Sequence, residues 1–379
     1  MSNKTISDKT VVIFNSPANC VDKDTEYLTK TGWKKISDYS EGDEIAVCDI
    51  NGNTIFEKPL EYIREPFDGD FLVFKRSTFE MKLTANHKVI YADDYGNRKT
   101  TEWVNLFTKV EQNSHGLGKF IPKTFNLTEN IPNPSLDLLF LKVAIMADSS
   151  LLKNGVQFNL KKFRKIERLR YLLDNLGVEY KEYTFPSMEG YVRFVVKTDM
   201  DKSTDWSWIN FNLETKQLLL SEFLFWDGDG VERFFSGKKE EVDFVQTLAA
   251  SCDKDSSIIP DIRDGRNTTY SLHIAKRNMQ TLTRRPYNKP TKTEKSEDGF
   301  CYCFTTSTGF WVARKSDSIF LTGNSGKDQA CQYLKDYFCT GEILAFKDEL
   351  YKDTATYFNI DVEDLVEYHS DRSLKEKPS

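Results

Sequence analysis

Cys20, the run Thr84-Ala85-Asn86-His87 and the pair Asn324-Ser325 are the residues of this sequence best equipped for chemistry on a peptide bond. A thiol at Cys20 can attack the carbonyl of Asn19 and convert that amide to a thioester. His87 can protonate the departing amide nitrogen, while Thr84 and Asn86 hydrogen-bond the scissile carbonyl or orient the imidazole. At the far end the Ser325 hydroxyl can take the acyl group. Asn324 can close on its own backbone carbonyl as a succinimide, which releases residues 20–324. An O-to-N shift then leaves an ordinary peptide bond between Asn19 and Ser325. One nucleophile opens the segment, an Asn closes it, and a second nucleophile follows at once.

The segment interrupts a second pattern. With residues 20–324 removed the chain reads "TVVIFNSPANSGKDQACQYL", a strand, a tight loop, Gly-Lys and a helix in the order of a phosphate loop. Lys327 would reach the β and γ phosphates of ATP, with Ser325 and Gly326 at the amide-lined helix start. Ser16 stands where the first glycine of that motif belongs, and Asp328 replaces its usual hydroxyl residue.

Composition bounds the rest. With 39% hydrophobic and 13% aromatic residues the chain reads as globular, and its length allows two or three domains. The most apolar stretch, "LDLLFLKVAIMA", carries Asp137 and Lys142 and is too short to span a bilayer. The N-terminus has no apolar core and does not read as a secretory signal. Seven cysteines, an odd number, read as thiols of a reducing compartment. The net charge of −6 hides two basic runs, Lys161–Arg170 and Lys276–Lys295, expected to contact phosphates.

The elements that must hold the reactive ends in place are β-strands. Short alternating runs broken by Gly32 and Gly42 follow Cys20, and two more precede Asn324. Between about residues 130 and 285 the pattern changes to helices alternating with strands, and it repeats. "SLDLLFLKVAIMADSSL" is read as a helix ending at Asp148, and "KQLLLSEFLFWDGDGVERF" as one ending at Asp229, 81 residues on. A basic or mixed helix and two strands follow each. Two such helices packed together would bring Asp148 and Asp229 together to bind Mg²⁺ and activate water for phosphodiester cleavage. The antiparallel strands would enter a major groove. Lys197 and Lys276 end matching strands; each can steady a transition-state charge or contact a phosphate.

These residues resemble known families. The opening cysteine with "EYLT…GWKKISDY…GDEI", the Thr-x-Asn-His of Thr84–His87 and the closing "CYCFTTSTGFWVA…GNS" resemble an intein, a protein-splicing domain of the hedgehog/intein type. In inteins a histidine usually precedes the terminal Asn, where this chain has Gly323, and an Asp often stands where this chain has Cys303. Two readings of Cys303 stand: a group that stabilises or shuttles the intermediate, and a buried structural thiol. "LKVAIMADS" and "EFLFWDGDG" resemble the paired motifs of a LAGLIDADG (DOD-type) homing endonuclease, with Ser149 in place of a usual glycine. The flanks, with "GEILAFKDELYKDTATYFNID", resemble a phage-type deoxynucleoside monophosphate kinase, short enough to imply truncation.

The resemblances imply a multidomain chain. Residues 1–19 and 325–379 would be halves of a P-loop α/β kinase. Residues 20–125 and 297–324 would form an all-β horseshoe, and 126–296 an inserted α/β endonuclease with an αββαββα repeat. Implied activities are cofactor-free splicing and Mg²⁺-dependent cleavage of double-stranded DNA. The spliced kinase would use ATP and a deoxynucleoside monophosphate. A monomer in the cytoplasm of a phage's bacterial host, away from membranes, is expected. Two other readings stand beside these: a nucleotide kinase whose insertion is inert or only binds DNA, and an autoprocessing domain that cleaves without ligating. A nested unit that keeps its acids without cutting is the alternative to the nuclease.

Overall fold

Alternating β-branched and aromatic residues between glycine turns become strands throughout the flanks of the described chain. The computed structural model describes residues 19–112, 120–127, 135–184, 189–275, 278–282 and 290–323. Residues 18–325 form one compact unit, separate from residues 1–17 with 326–379.

An 11-stranded sheet runs through strands Ile45–Cys48, Glu26–Thr29, Phe310–Lys315, Ser318–Gly323 and Lys88–Ala92 at its centre. It is accompanied by a three-stranded sheet of Thr291–Lys295, Asp70–Arg76 and Phe79–Leu83, and by the pair Glu61–Pro66 with Phe300–Thr305. Tyr27, Trp103, Phe304 and Trp311 fill the core between them. Burying such aromatic side chains contributes roughly 1.5–3 kcal/mol each. The β part is not purely β: helix α1 (Trp103–Gln112) lies in it, its first amide bonded to the His87 carbonyl at 2.8 Å.

The nested part begins with α2 (Leu136–Asp148), buried on most sides because nearly every residue is apolar. Strands Ser149–Leu152 and Gly155–Leu160 follow, then α3 (Phe163–Leu176) and strands Tyr180–Thr184 and Val192–Val196. Gly177, at φ +62°, ends α3 with the paired amide bonds that such a left-handed residue allows. The second half has α4 (Leu213–Asp227), capped by the Asn212 side chain on the Thr215 amide at 2.9 Å. It continues through Arg233–Ser236, α5 (Lys239–Ala250), Ser256–Asp261 and Thr269–Ile274.

The expected repeat is therefore incomplete. The first half carries a four-stranded antiparallel sheet and the second a three-stranded one. Lys153-Asn154 and Gly155, at φ +140°, allow a hairpin in the first half. In the second, Gly237 and the start of α5 come directly after one four-residue strand, which leaves no chain for another.

The boundaries shift as well. Asn126–Leu127, Met279–Thr281 and Thr291–Lys295, assigned above to the nested unit, pair with strands of the β part. The two parts also share a core: Leu28, Phe56, Val312 and Leu321 pack in one cluster with residues of α2, α4 and α5. No helix among the described residues is long and apolar enough to cross a membrane.

Candidate functional site

The residues flanking the Asn19–Cys20 peptide bond are threaded between two strands. The Val21 amide donates to the Tyr302 carbonyl at 2.7 Å and the Tyr302 amide to the Val21 carbonyl at 3.0 Å, while Val21 also bridges Leu83. Thr84, at the end of strand Phe79–Leu83, closes on Cys20 from both sides. The Cys20 amide donates to Thr84 Oγ1 at 2.9 Å, and the Thr84 amide donates to the Cys20 carbonyl at 3.0 Å. The turn continues through half-buried Asn86 to His87, whose amide bonds the Thr84 carbonyl at 3.1 Å.

His87 is fully buried and lies between the two ends of the segment. Its Nε2 is 2.6 Å from Thr322 Oγ1, and its imidazole faces the backbone carbonyl of Asn19. Burial pushes its pKa down to about 4 and the Asn19 carbonyl partly opposes that, without completing a hydrogen bond to Nδ1. The imidazole is neutral at pH 7. It can take a proton before it gives one, a change from the resting general acid expected above.

Strand Ser318–Gly323 brings the far end beside it: Thr322 pairs with Val89 and Gly323 with Lys88, the residue after His87. Gly323 has a steric cause. A Cβ there would lie 2.1 Å from the Gly309 carbonyl oxygen and 2.5 Å from a Phe310 ring carbon, so no histidine fits at this position. Cys20, Cys301 and Cys303 pack in one cluster with Phe71. The Cys20 thiol is pushed well above the ordinary range, first by its hydrogen bond with Cys301, then by burial and by Cys303. Burial raises Cys303 to about 12, so it is a protonated thiol at neutral pH in the same cluster as Cys20. Asn324, Ser325, Gly326, Lys327 and Lys276 lie outside the described residues.

In the nested part, α2 and α4 do bring two carboxylates together, but the second is Asp227, not Asp229. Helix α4 ends at Asp227; Asp229, two residues on, is spent in a turn, accepting the amides of Val231, Glu232 and Arg233 at 2.9–3.0 Å. Those bonds hold its carboxyl down at about 2. Burial and the neighbouring Asp148 charge instead raise Asp227 to about 6. The sequence offered two acids two residues apart, and helix phase selects the earlier one.

The pair meets an ammonium from α3. Lys165 Nζ is in contact with Asp148 and 3.9 Å from Asp227, and it lies 5.5 Å from the Trp226 ring centre. Lys202 donates to the Ser149 carbonyl at 2.8 Å within reach of the same charges, and Glu241 is held by Lys238 at 2.8 Å. A divalent ion does not fit this arrangement as it stands: the charge such an ion would balance is already balanced. Among the described residues no group of three or more His, Cys, Asp or Glu is placed to hold a metal.

The basic run of α3 is half engaged within the protein, while Lys161, Lys162 and Arg164 stay exposed. Arg168 grips Glu222 through two bonds of 3.0 and 2.8 Å, and Arg170 pairs with Glu182 and Glu167. Both arginines keep part of their side chains exposed, 28% for Arg168 and 35% for Arg170. Lys197 is exposed and pairs with Glu179 at 3.3 Å. Lys165, Lys202 and Asp227 escaped the sequence reading because nothing in spacing alone says which face of α3 meets the ends of α2 and α4.

No family model matches the chain. The ATP-dependent DNA helicase Hel308 of Thermococcus kodakarensis is 28% identical over 139 residues, which are 33% of this chain; the chain spans only 12% of that protein. Similar solved structures include the class 3 split intein AceL NrdHF in a splice-inactive form: 9% identity, 81% of this chain, 98% of that chain, TM-score 0.31. They also include the homing endonuclease I-DmoI with DNA and Mn: 15% identity, 38% of this chain, 91% of that chain, TM-score 0.28.

Proposed function

We propose that the chain is a self-splicing protein that excises residues 20–324 and joins Asn19 to Ser325. The observation that carries this reading is the burial of His87 between the Asn19 carbonyl and Thr322, residues from opposite ends of the segment. A neutral imidazole takes the proton of the Cys20 thiol as sulfur attacks the Asn19 carbonyl carbon. It returns that proton to the Cys20 nitrogen as the C–N bond breaks. Thr84 holds the Cys20 amide and carbonyl fixed, so the attack needs little reorganisation. The Ser325 hydroxyl then takes the acyl group and its proton returns to the Cys20 sulfur. Cyclisation of Asn324 frees the Ser325 amine, an O-to-N shift turns the ester into a peptide bond, and no cofactor enters any step. Intact mass of the expressed chain tests the reading. Joined ends beside a free 20–324 fragment support it, and cleavage without joining reduces it to autoprocessing.

The nested part is, in this reading, a DNA-recognition domain of the homing-endonuclease kind. Its two antiparallel sheets carry exposed or half-exposed Asn159, Lys181, Arg193 and Lys197 on one and Arg233 and His273 on the other. Ribbons so furnished suit a major groove and its phosphates. The natural probe is a duplex of the coding sequence with codons 19 and 325 adjoining. Retarded migration at moderate salt supports binding; indifference to sequence argues against a specific site. The flanks, as a nucleoside monophosphate kinase using ATP in the cytoplasm of a phage-infected cell, rest on their sequence pattern alone.

A further inference from the structure

We propose that the Lys165 ammonium is the resident cation of the Asp148–Asp227 pair and keeps a divalent ion out of it. Two helices that end side by side place two carboxylates at two negative dipole ends, an arrangement that demands positive charge. Here the chain supplies it. Lys165 touches Asp148, lies 3.9 Å from Asp227 and sits 5.5 Å from the Trp226 ring centre, with only 9% of its side chain exposed. Three acids, Asp148, Asp227 and Glu241, face three ammonium groups, those of Lys165, Lys202 and Lys238.

The backbone beneath Lys165 is fixed against α4. The residue before it, Arg164, donates to the Phe225 carbonyl at 2.5 Å and stacks 4.4 Å from the Phe225 ring centre. Three residues later Arg168 holds Glu222 bidentately. Both contacts are to α4, so the backbone carrying Lys165 is tied to the helix that carries Asp227. The charge that a catalytic ion would meet is answered by an ammonium that rises from a fixed stretch of backbone.

One consequence rests on the DNA reading above: the nested domain holds duplex DNA with equal affinity in Mg²⁺ and in a chelator, and leaves it uncut. The test uses the full chain with Cys20→Ala and Asn324→Ala, so that it stays in one piece, titrated with Mn²⁺ and followed by electron paramagnetic resonance. The expected result is no ion bound at this pair in that background. Adding Lys165→Met should create one site, at least about tenfold tighter than any before it and abolished by Asp227→Asn. An Mn²⁺ ion bound without any Lys165 change, and lost on Asp227→Asn, overturns the proposal. So does a folded Lys165→Met or Lys165→Gln chain with no gain in affinity. The DNA experiment is separate: loss of DNA binding would sink the recognition reading and leave the metal result standing.

Discussion

His87 sets the pH behaviour of the proposed splicing centre. Its pKa falls from 6.5 to about 4 on folding, so between those values the unfolded chain binds the proton and the folded chain does not. Stability therefore declines as pH drops from 6.5 to 4, by up to about 3 kcal/mol from this group. The raised Asp227 works in the opposite sense over part of that range. The measurement is thus the difference between the native chain and His87→Asn in denaturant midpoints at several pH values, and the variant's curve should be flatter in acid. The same substitution should slow thiol-induced cleavage at Cys20 by about 10²–10⁴-fold, the usual worth of a positioned proton carrier. With His87 already neutral and the Cys20 thiol still protonated, the native rate should change little across neutral pH and fall in acid as His87 takes up a proton. Gly323→Ala would drive a methyl into the Gly309 carbonyl. It should cost about 1–3 kcal/mol in thermal denaturation and depress release at Asn324.

Strand Phe310–Lys315 and helix α5 carry the tie between the β part and the nested part. Arg314 is buried, donates to Glu26 at 2.7 and 2.9 Å and to Asp243 of α5 at 2.6 Å, and stacks 4.6 Å from the Trp33 ring centre. Trp33 Nε1 in turn donates to Thr247 of α5 at 2.8 Å. Arg314→Met would leave the half-buried Glu26 without its partner, while Asp243 keeps Lys239 at 2.5 Å, and should cost about 3 kcal/mol, read as a lowered midpoint in chemical denaturation. At this scale the sequence was most legible. Helix periodicity announced α2, with its end at Asp148, and a further helix after the first one of each half, because such signals are local. Asp227 was misread as Asp229 because "DGDG" fits a helix end at either acid, and only packing against α2 decides. The strands that rejoin the β part after residue 278 were misassigned for a related reason: which sheet a strand joins is fixed by distant partners.

Across the whole molecule, residues 303 positions apart in the chain (322 − 19) share one buried imidazole: Asn19 through its carbonyl, and Thr322 through its hydroxyl. That convergence was legible in part, since Cys20, Thr84 and His87 announce their chemistry by type and order. Thr322 was not, because a threonine in a strand carries no signal until its neighbour is known. The measurement that tests the account most directly is intact mass of the products of this chain, expressed beside a Cys20→Ala, Asn324→Ala double variant. The account predicts a fragment of residues 20–324 and a peptide in which Asn19 is bonded to Ser325, both absent from the variant. A native chain that stays whole, indistinguishable from the variant, would contradict it.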